Sequence, residues 1–383
     1  MPLKTPISTK WRGSGSFDGA KVRSGRAGEP NERLRRLPDR APGRARSLAL
    51  SLGTAALVAL SATLGLAAAP ASAAPLPFVA PEDTAAVNTA LERLYRMEYP
   101  AAEEFLLKTL PAASPARAYF AGIVCLNRFL DWGDTAALTR AEAHWELLAR
   151  ESGTGAAASS TARARLYRGL AGVQLSYTAS LRGQNLRAAR LALAAERQLR
   201  PLPAPEAKAA RMLYDYYRGR LLDRLPFVGA APLDAAAFAA LARESSVLRE
   251  MFLVSLFWIH VDQGRFGAAD AIARGFLAKY PDNRLGRQMR TDGLFRAGRF
   301  DDALAEQEKL RQEYAALPRA GRLPLGYYKA VGSLARLHAA LGQDKQAREH
   351  LDEWNRAGAA GMAPWLPPTL KRDLRQLSER YDR

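Results

Sequence analysis

One phrase recurs three times in the C-terminal third of the chain and constrains the fold more than any other feature. Gln263-Gly264-Arg265-Phe266-Gly267-Ala268-Ala269-Asp270-Ala271 and Ala297-Gly298-Arg299-Phe300-Asp301-Asp302-Ala303-Leu304-Ala305 stand 34 residues apart and share Gly, Arg, Phe and two Ala in register. Leu341-Gly342-Gln343-Asp344-Lys345-Gln346-Ala347 returns 44 residues after Gly298, and the extra length falls in a Pro/Gly-rich insertion around Pro318 to Gly326. A fixed period of this size marks a supersecondary unit that cannot bury its apolar face alone and must stack on its own copies.

Each shared residue has a physical reason. Gly264 can adopt the left-handed conformation that closes a helix and turns the chain. Ala269 and Ala303 are small enough for a second helix to approach the first closely, and Phe266 and Phe300 are expected as plugs between helices. Pro281 stops the second helix. With these residues, 250–317 resembles the tetratricopeptide repeat family, whose 34-residue unit is two antiparallel helices. The resemblance implies Leu256 in the first helix, Gly264 in the turn, Phe266 and Ala269 on the second helix and Pro281 at its end.

Weaker copies extend the pattern over most of 83–358. Gly183 and Ala188 repeat the five-residue separation of Gly264 and Ala269, with Pro201 ending that unit. Around Arg96 to Glu103 the aromatic and small residues recur, but Met97 stands where Gly is expected. Leu130-Asp131-Trp132-Gly133-Asp134, followed by an Ala-rich run, reads as another copy. The segment 205–249 departs most, with a helix through Tyr214, Tyr217 and Leu221 ending at Leu225-Pro226-Phe227-Val228-Gly229, and Asp234 capping the next helix. Prolines cluster where hairpins should end, at 201–205, 226–232, 318–324 and 364–368. Beyond them Leu370, Leu374, Leu377 and Tyr381 form an apolar stripe at helical spacing, the cap that a solenoid needs at its exposed end.

The reading is an all-α, right-handed solenoid of about six to seven tetratricopeptide-like hairpins. Its expected parts are degenerate hairpins over 83–204, an atypical hairpin over 205–249, repeats over 250–358 and a capping helix over 359–383.

The 383 residues carry 56 Lys and Arg against 38 Asp and Glu, a formal charge of +18, which suggests nucleic acid until the charge is located. Residues 1–46 hold a net +8, residues 47–81 hold no charged residue, and the remaining 44 basic and 34 acidic residues are interspersed. No basic block or aromatic RNA-binding signature follows the N-terminus, so no nucleic-acid partner is expected.

Arg44 and Arg46 precede an apolar Leu/Ala run that ends in Pro70 and Ala71-Ser72-Ala73, the three parts of a secretory signal with cleavage after Ala73. Residues 47–73 are therefore read as a signal peptide, 74–82 as a linker, and the mature chain as periplasmic or secreted in a bacterium. The run is also long enough to remain as a membrane anchor over 47–69, and positive charge stays on the cytoplasmic side in either topology. Residues 1–46 are then a disordered basic tail, or upstream sequence outside the true reading frame. No Cys follows the apolar run, which argues against a lipoprotein.

Catalytic signatures are sparse. Cys125 is the single cysteine, so an intramolecular disulfide and a CxxC centre are ruled out; it reads as a buried small hydrophobe. His144, His260, His338 and His350 form no HExxH or other close pair, His260 and His338 fall at core-facing repeat positions, and no metal or cofactor is expected. No GxSxG, GxxxxGK[ST] or strand-associated GxGxxG occurs. Glu151-Ser152 and Glu244-Ser245 echo the Glu-Ser motif of some exported glycan-cleaving enzymes, but both lie at helix ends with no separate domain to house them.

Binding is the better-supported role. The tetratricopeptide resemblance implies a concave groove lined by the first helix of each unit, with Tyr177, Trp258, Gln288, Asp292, Phe295, Arg296, Lys329 and Arg336 pointing into it. Aromatic anchors beside Arg and Asp suit a peptide-binding surface. The family's Lys/Asn clamp for a terminal carboxylate is not reproduced, since the corresponding positions read Val254 with Trp258 and Gln288 with Asp292. The expected function is a non-catalytic protein- or peptide-binding scaffold in the cell envelope. The alternatives are a membrane-anchored assembly factor and, further off, a peptidoglycan-cleaving enzyme.

Overall fold

The computed structural model describes residues 78–150, 161–222, 233–245, 247–317, 323–358 and 363–381. The basic tail, the apolar run 47–73, Glu151-Ser152 and the Leu225–Gly229 turn lie outside the described residues. All regular structure among the described residues is helical. Fourteen helices form seven successive antiparallel hairpins: α1 (Pro81–Tyr95) with α2 (Tyr99–Thr109), α3 (Pro115–Trp132) with α4 (Thr135–Arg150), α5 (Ala162–Leu181) with α6 (Asn185–Leu199), α7 (Pro205–Leu222) with α8 (Ala235–Glu244), α9 (Arg249–Asp262) with α10 (Phe266–Lys279), α11 (Arg284–Arg296) with α12 (Phe300–Ala316), and α13 (Leu325–Ala340) with α14 (Asp344–Gly358). A short 3-10 turn (Ala363–Trp365) leads to α15 (Pro368–Tyr381), which caps the array against α13 and α14. The chain is an all-α solenoid of tetratricopeptide-like hairpins with a C-terminal capping helix.

The turns explain the repeat phrase. Gly133, Gly183, Gly264, Gly298 and Gly342 have φ between 71° and 74°, and Met97 takes the same conformation at 67°. In five of these six turns the next amide donates back to the carbonyl five residues earlier, as in Arg265 N–H to His260 O at 2.8 Å and Arg299 N–H to Leu294 O at 3.0 Å. This closes the first helix with the carbonyls it would otherwise leave unpaired. A side chain in that conformation costs roughly 1–2 kcal/mol, which is why glycine recurs there. Met97 is tolerated because its thioether packs among the neighbouring apolar residues and accepts the Arg284 N–H at 3.1 Å.

Helix starts are equally local. Asp234 accepts from the amides of Ala236 and Ala237, Thr161 from Ala164, Asn283 from Gly286 and Asp134 from Ala137. Within hairpins the small residues are deeply buried: Ala188, Ala269, Ala303 and Ala347 are at most 9% exposed. Phe266 and Phe300 are only half-buried, so they are edge contacts and not the full plugs expected from the repeat pattern. Fully buried aromatics include instead Trp145, Phe120, Phe129, Phe238 and Phe257. The cap behaves as expected, with Leu370 and Leu374 buried against Gly332 and Val331.

The solenoid also folds back on itself. Besides its neighbours in sequence, α3 packs against α11 and α13. Asp131, fully buried near the end of α3, accepts Arg284 Nη2 at 2.6 Å and the Tyr314 hydroxyl at 2.7 Å. Lys329 Nζ donates to the Leu130 carbonyl at 2.8 Å, and Asn283 Nδ2 to the Tyr95 carbonyl at 2.7 Å. Tyr95 lies against Phe276 and Tyr280, and Phe129 meets Trp365 edge-on at 5.1 Å. At the start, Phe78 inserts between Tyr119, Phe120 and Tyr167.

Candidate functional site

The left-handed turn residue gives a common register for the first helix of each hairpin. Six positions before it stand Asn127, Tyr177, Trp258, Asp292 and Arg336, so these residues occupy equivalent places on α3, α5, α9, α11 and α13. Four of them are among the residues expected from sequence to line the groove. The other four, Gln288, Phe295, Arg296 and Lys329, lie on α11 and α13.

The structure divides this set into an engaged half and an accessible half. In the engaged half, Asp292 carries a carboxyl pushed up by burial and pulled back by the nearby Arg336, Arg296 and Lys329 charges. Thr291, Asp292, Phe295, Gln307, Ser333, Arg336 and Leu337 surround a small cleft. The Arg336 guanidinium lies 4.1 Å from the Phe295 ring centre and 3.4 Å from Asp373 of the capping helix, with only 14% of its side chain exposed. Gln288 exchanges amide hydrogen bonds with the buried Gln307. Lys329 is committed to Leu130; burial holds its ammonium down to about 8, against the opposing pull of Asp131 and Asp292. These groups join α11, α13, α15 and α3 into one interior.

The accessible half runs over α5, α7, α9 and α11. Among the described residues, Tyr177 is 44% and Tyr217 47% exposed, and with Leu147 and Leu186 they are the large apolar side chains open to solvent. Burial of its phenol pushes Tyr217 up to about 12, with Asp262, Tyr216 and Tyr177 adding to the effect, so the two exposed tyrosines are electrostatic neighbours. Trp258 is half-buried, edge-on to Phe257, and the Arg296 guanidinium sits 5.7 Å from its ring centre. Asp262 holds Arg296 at 3.1 Å and also accepts from the Tyr216 hydroxyl at 3.5 Å, tying α7, α9 and α11 together under this surface. Arg296 keeps 43% of its side chain exposed.

Tyr217 and Asp262 are not among the groove residues that the sequence implies; Tyr217 appears there only as a position on a helix. Tyr217 lies in the hairpin that departs most from the repeat phrase. Asp262 reads from sequence as an ordinary charge at the end of a helix.

The other candidates resolve as follows. Cys125 is buried and donates to Glu103 Oε1 at 3.1 Å, and burial pushes its thiol up to about 12. Glu244 is exposed at the end of α8. Its neighbour Ser245 is buried rather than solvated, and its Oγ accepts the Leu248 N–H at 3.2 Å.

The chain matches no protein-family model and no curated protein. Among solved structures it is similar to a tetratricopeptide repeat protein from Parabacteroides merdae, at 15% identity over 78% of this chain and all of that one, with a TM-score of 0.35.

Proposed function

We propose that this protein is a non-catalytic scaffold of the tetratricopeptide type that binds a protein or peptide partner outside the cytoplasm of a bacterium. The observation that carries the reading is the surface formed by Tyr177, Tyr217, Trp258 and Arg296 on successive first helices. Aromatic side chains and arginine dominate binding energy at interfaces because they offer large contact areas and directional polar ends. Here they are presented on helices, with Arg296 oriented by Asp262 before any partner arrives. Pre-ordered side chains lower the entropy lost on association. The chemistry suits an extended segment that places apolar groups on Tyr177, Tyr217 and Trp258 and a carboxylate on Arg296. Asp292, Lys329 and Arg336 act in this reading as the framework beneath the surface.

Export rests on the Arg44/Arg46, apolar-run and Ala71-Ser72-Ala73 pattern. No helix among the described residues is long and apolar enough to cross a membrane. The proposal is that residues 47–73 are removed and the helical array works in the periplasm or beyond.

The test is site-specific photocrosslinking in the native host, with the photoreactive residue at position 258 or, as control, at exposed Leu186 on α6. The expected result is a discrete adduct of one mass from position 258, absent from 186, in the exported fraction. Adducts of equal yield from both positions, or none from 258, would overturn the assignment of this surface.

A further inference from the structure

We infer that Glu308, His338 and His350 form a binding site for a divalent transition-metal ion, with zinc as the best match to two imidazoles and one carboxylate. The three residues come from consecutive helices, α12, α13 and α14, and their donor atoms lie within 4.8 Å of one another. Nitrogen and oxygen donors in this ratio suit zinc and its neighbours in the first transition row.

The surroundings of each residue favour this use. His338 is buried, and its Nδ1 lies 2.6 Å from the Gln343 side-chain oxygen. With Nδ1–H donating to that oxygen, Nε2 keeps its lone pair, the usual way an outer partner fixes a metal-binding imidazole. Glu308 uses Oε2 to accept from Arg311 Nε at 3.2 Å, while Oε1 faces His350 Nε2 at 3.7 Å, too far for a hydrogen bond. His350 Nδ1 is buried without a hydrogen-bond partner, and Glu353 Oε2 lies 3.6 Å from it. Glu353 in turn accepts from the Tyr327 hydroxyl. The two imidazoles lie nearly parallel, 15° apart with centres 5.2 Å from each other.

Zinc bonds of roughly 2.0–2.2 Å place neighbouring donors a little over 3 Å apart. The group must therefore contract by about an ångström or more, through shifts of both imidazoles and of Glu308, whose side chain is 33% exposed. That exposure also leaves an approach for the ion and for a water as fourth ligand.

A second group with comparable proximity, Glu103, Cys125 and His144 on α2, α3 and α4, lacks these features. Its carboxylate is already taken up by Arg140, at 3.1 and 3.3 Å, and by the Cys125 thiol. It serves as the internal control.

The experiment is a titration of the untagged, chelator-stripped chain with Co²⁺, followed by its visible ligand-field absorption, and displacement of Co²⁺ by Zn²⁺. Saturable binding near one equivalent is expected, weakened at least tenfold in His338→Gln and in His350→Gln and unchanged in Cys125→Ser. Glu308→Gln, at the more exposed ligand, provides the same readout should either histidine variant fail to fold. Non-saturable binding, or equal affinity in wild type and in the folded ligand variants, would overturn the site.

Discussion

Arg284 and Asp131 are 153 residues apart in the chain and 2.6 Å apart in the fold, with the carboxylate fully buried and the guanidinium 14% exposed. Their pairing makes the first hairpins part of the same interior as the last ones. A repeat array held only by nearest neighbours can yield one unit at a time; this contact couples distant units. Removing one member of a buried pair leaves a charge without compensation, at about 3–5 kcal/mol. Asp131→Ala is expected to lose that much in urea denaturation, while the double variant Asp131→Leu with Arg284→Met loses less than the two single losses added together. Additive losses would mean that the pair does not couple the two ends.

Two glycines separate backbone strain from crowding. A Cβ at Gly264 meets nothing within 4 Å, so Gly264→Ala carries only the left-handed penalty, about 1–2 kcal/mol. A Cβ at Gly122 would lie 2.4 Å from Trp145 Nε1, which is pinned by its hydrogen bond to the Tyr119 carbonyl. Gly122→Ala is expected to cost at least as much, about 1–3 kcal/mol, through overpacking and without any change of turn. Chemical denaturation measures both losses. Insertion of Trp145 elsewhere, seen as a shifted fluorescence maximum, should accompany only the second.

The turn positions show what a single sequence can reveal. Gly133, Gly183, Gly264, Gly298 and Gly342, and the exception at Met97, are visible because the requirement for positive φ is local and few residues meet it. The caps at Asp234 and at the C-terminal stripe are visible for the same reason. Asp131, Arg284 and Lys329 carry no such mark. Each reads as a charge near a helix end, and only the curvature accumulated over several hairpins brings them together. His338 and His350 have no metal-ligand spacing on one helix, since their proximity depends on the packing of α13 on α14. Five of the eight expected groove residues became interior for that reason, and Tyr217 joined the accessible surface from the hairpin that departs most from the repeat phrase.

The depth of burial ranks the aromatics. Phe257 is 1% exposed and Phe300 only half-buried. Phe257→Ala should cost about 3–5 kcal/mol, and Phe300→Ala clearly less. Thermal denaturation of the two variants orders them, and a larger loss at Phe300 would contradict the packing described for the repeat.

Lys329 gives the protein a specific dependence on pH. Burial lowers its folded value to about 8 from the ordinary 10.5, so above about 8 the unfolded chain holds more protons than the folded one at this site. Stability contributed by this group therefore rises as the pH climbs from about 8 towards 10.5. Replacing it in Lys329→Met removes that rise. The difference in unfolding free energy between wild type and variant should shift in favour of wild type by on the order of 1 kcal/mol between pH 8 and 9.5. A difference that stays constant over this range would place the ammonium in a solvated setting.

The central claim is that Tyr177, Tyr217, Trp258 and Arg296 bind a partner while the residues beneath them hold the fold. The most direct measurement is the affinity of the segment captured at position 258 for wild type, Trp258→Ala, Arg296→Glu and Leu186→Ala, with the melting temperature of each. The account predicts at least a tenfold loss for Trp258→Ala and Arg296→Glu, weaker wild-type binding at higher salt, melting temperatures near wild type, and no loss for Leu186→Ala. Undiminished affinity in both site variants, or a loss that only follows a fall in melting temperature, would contradict it.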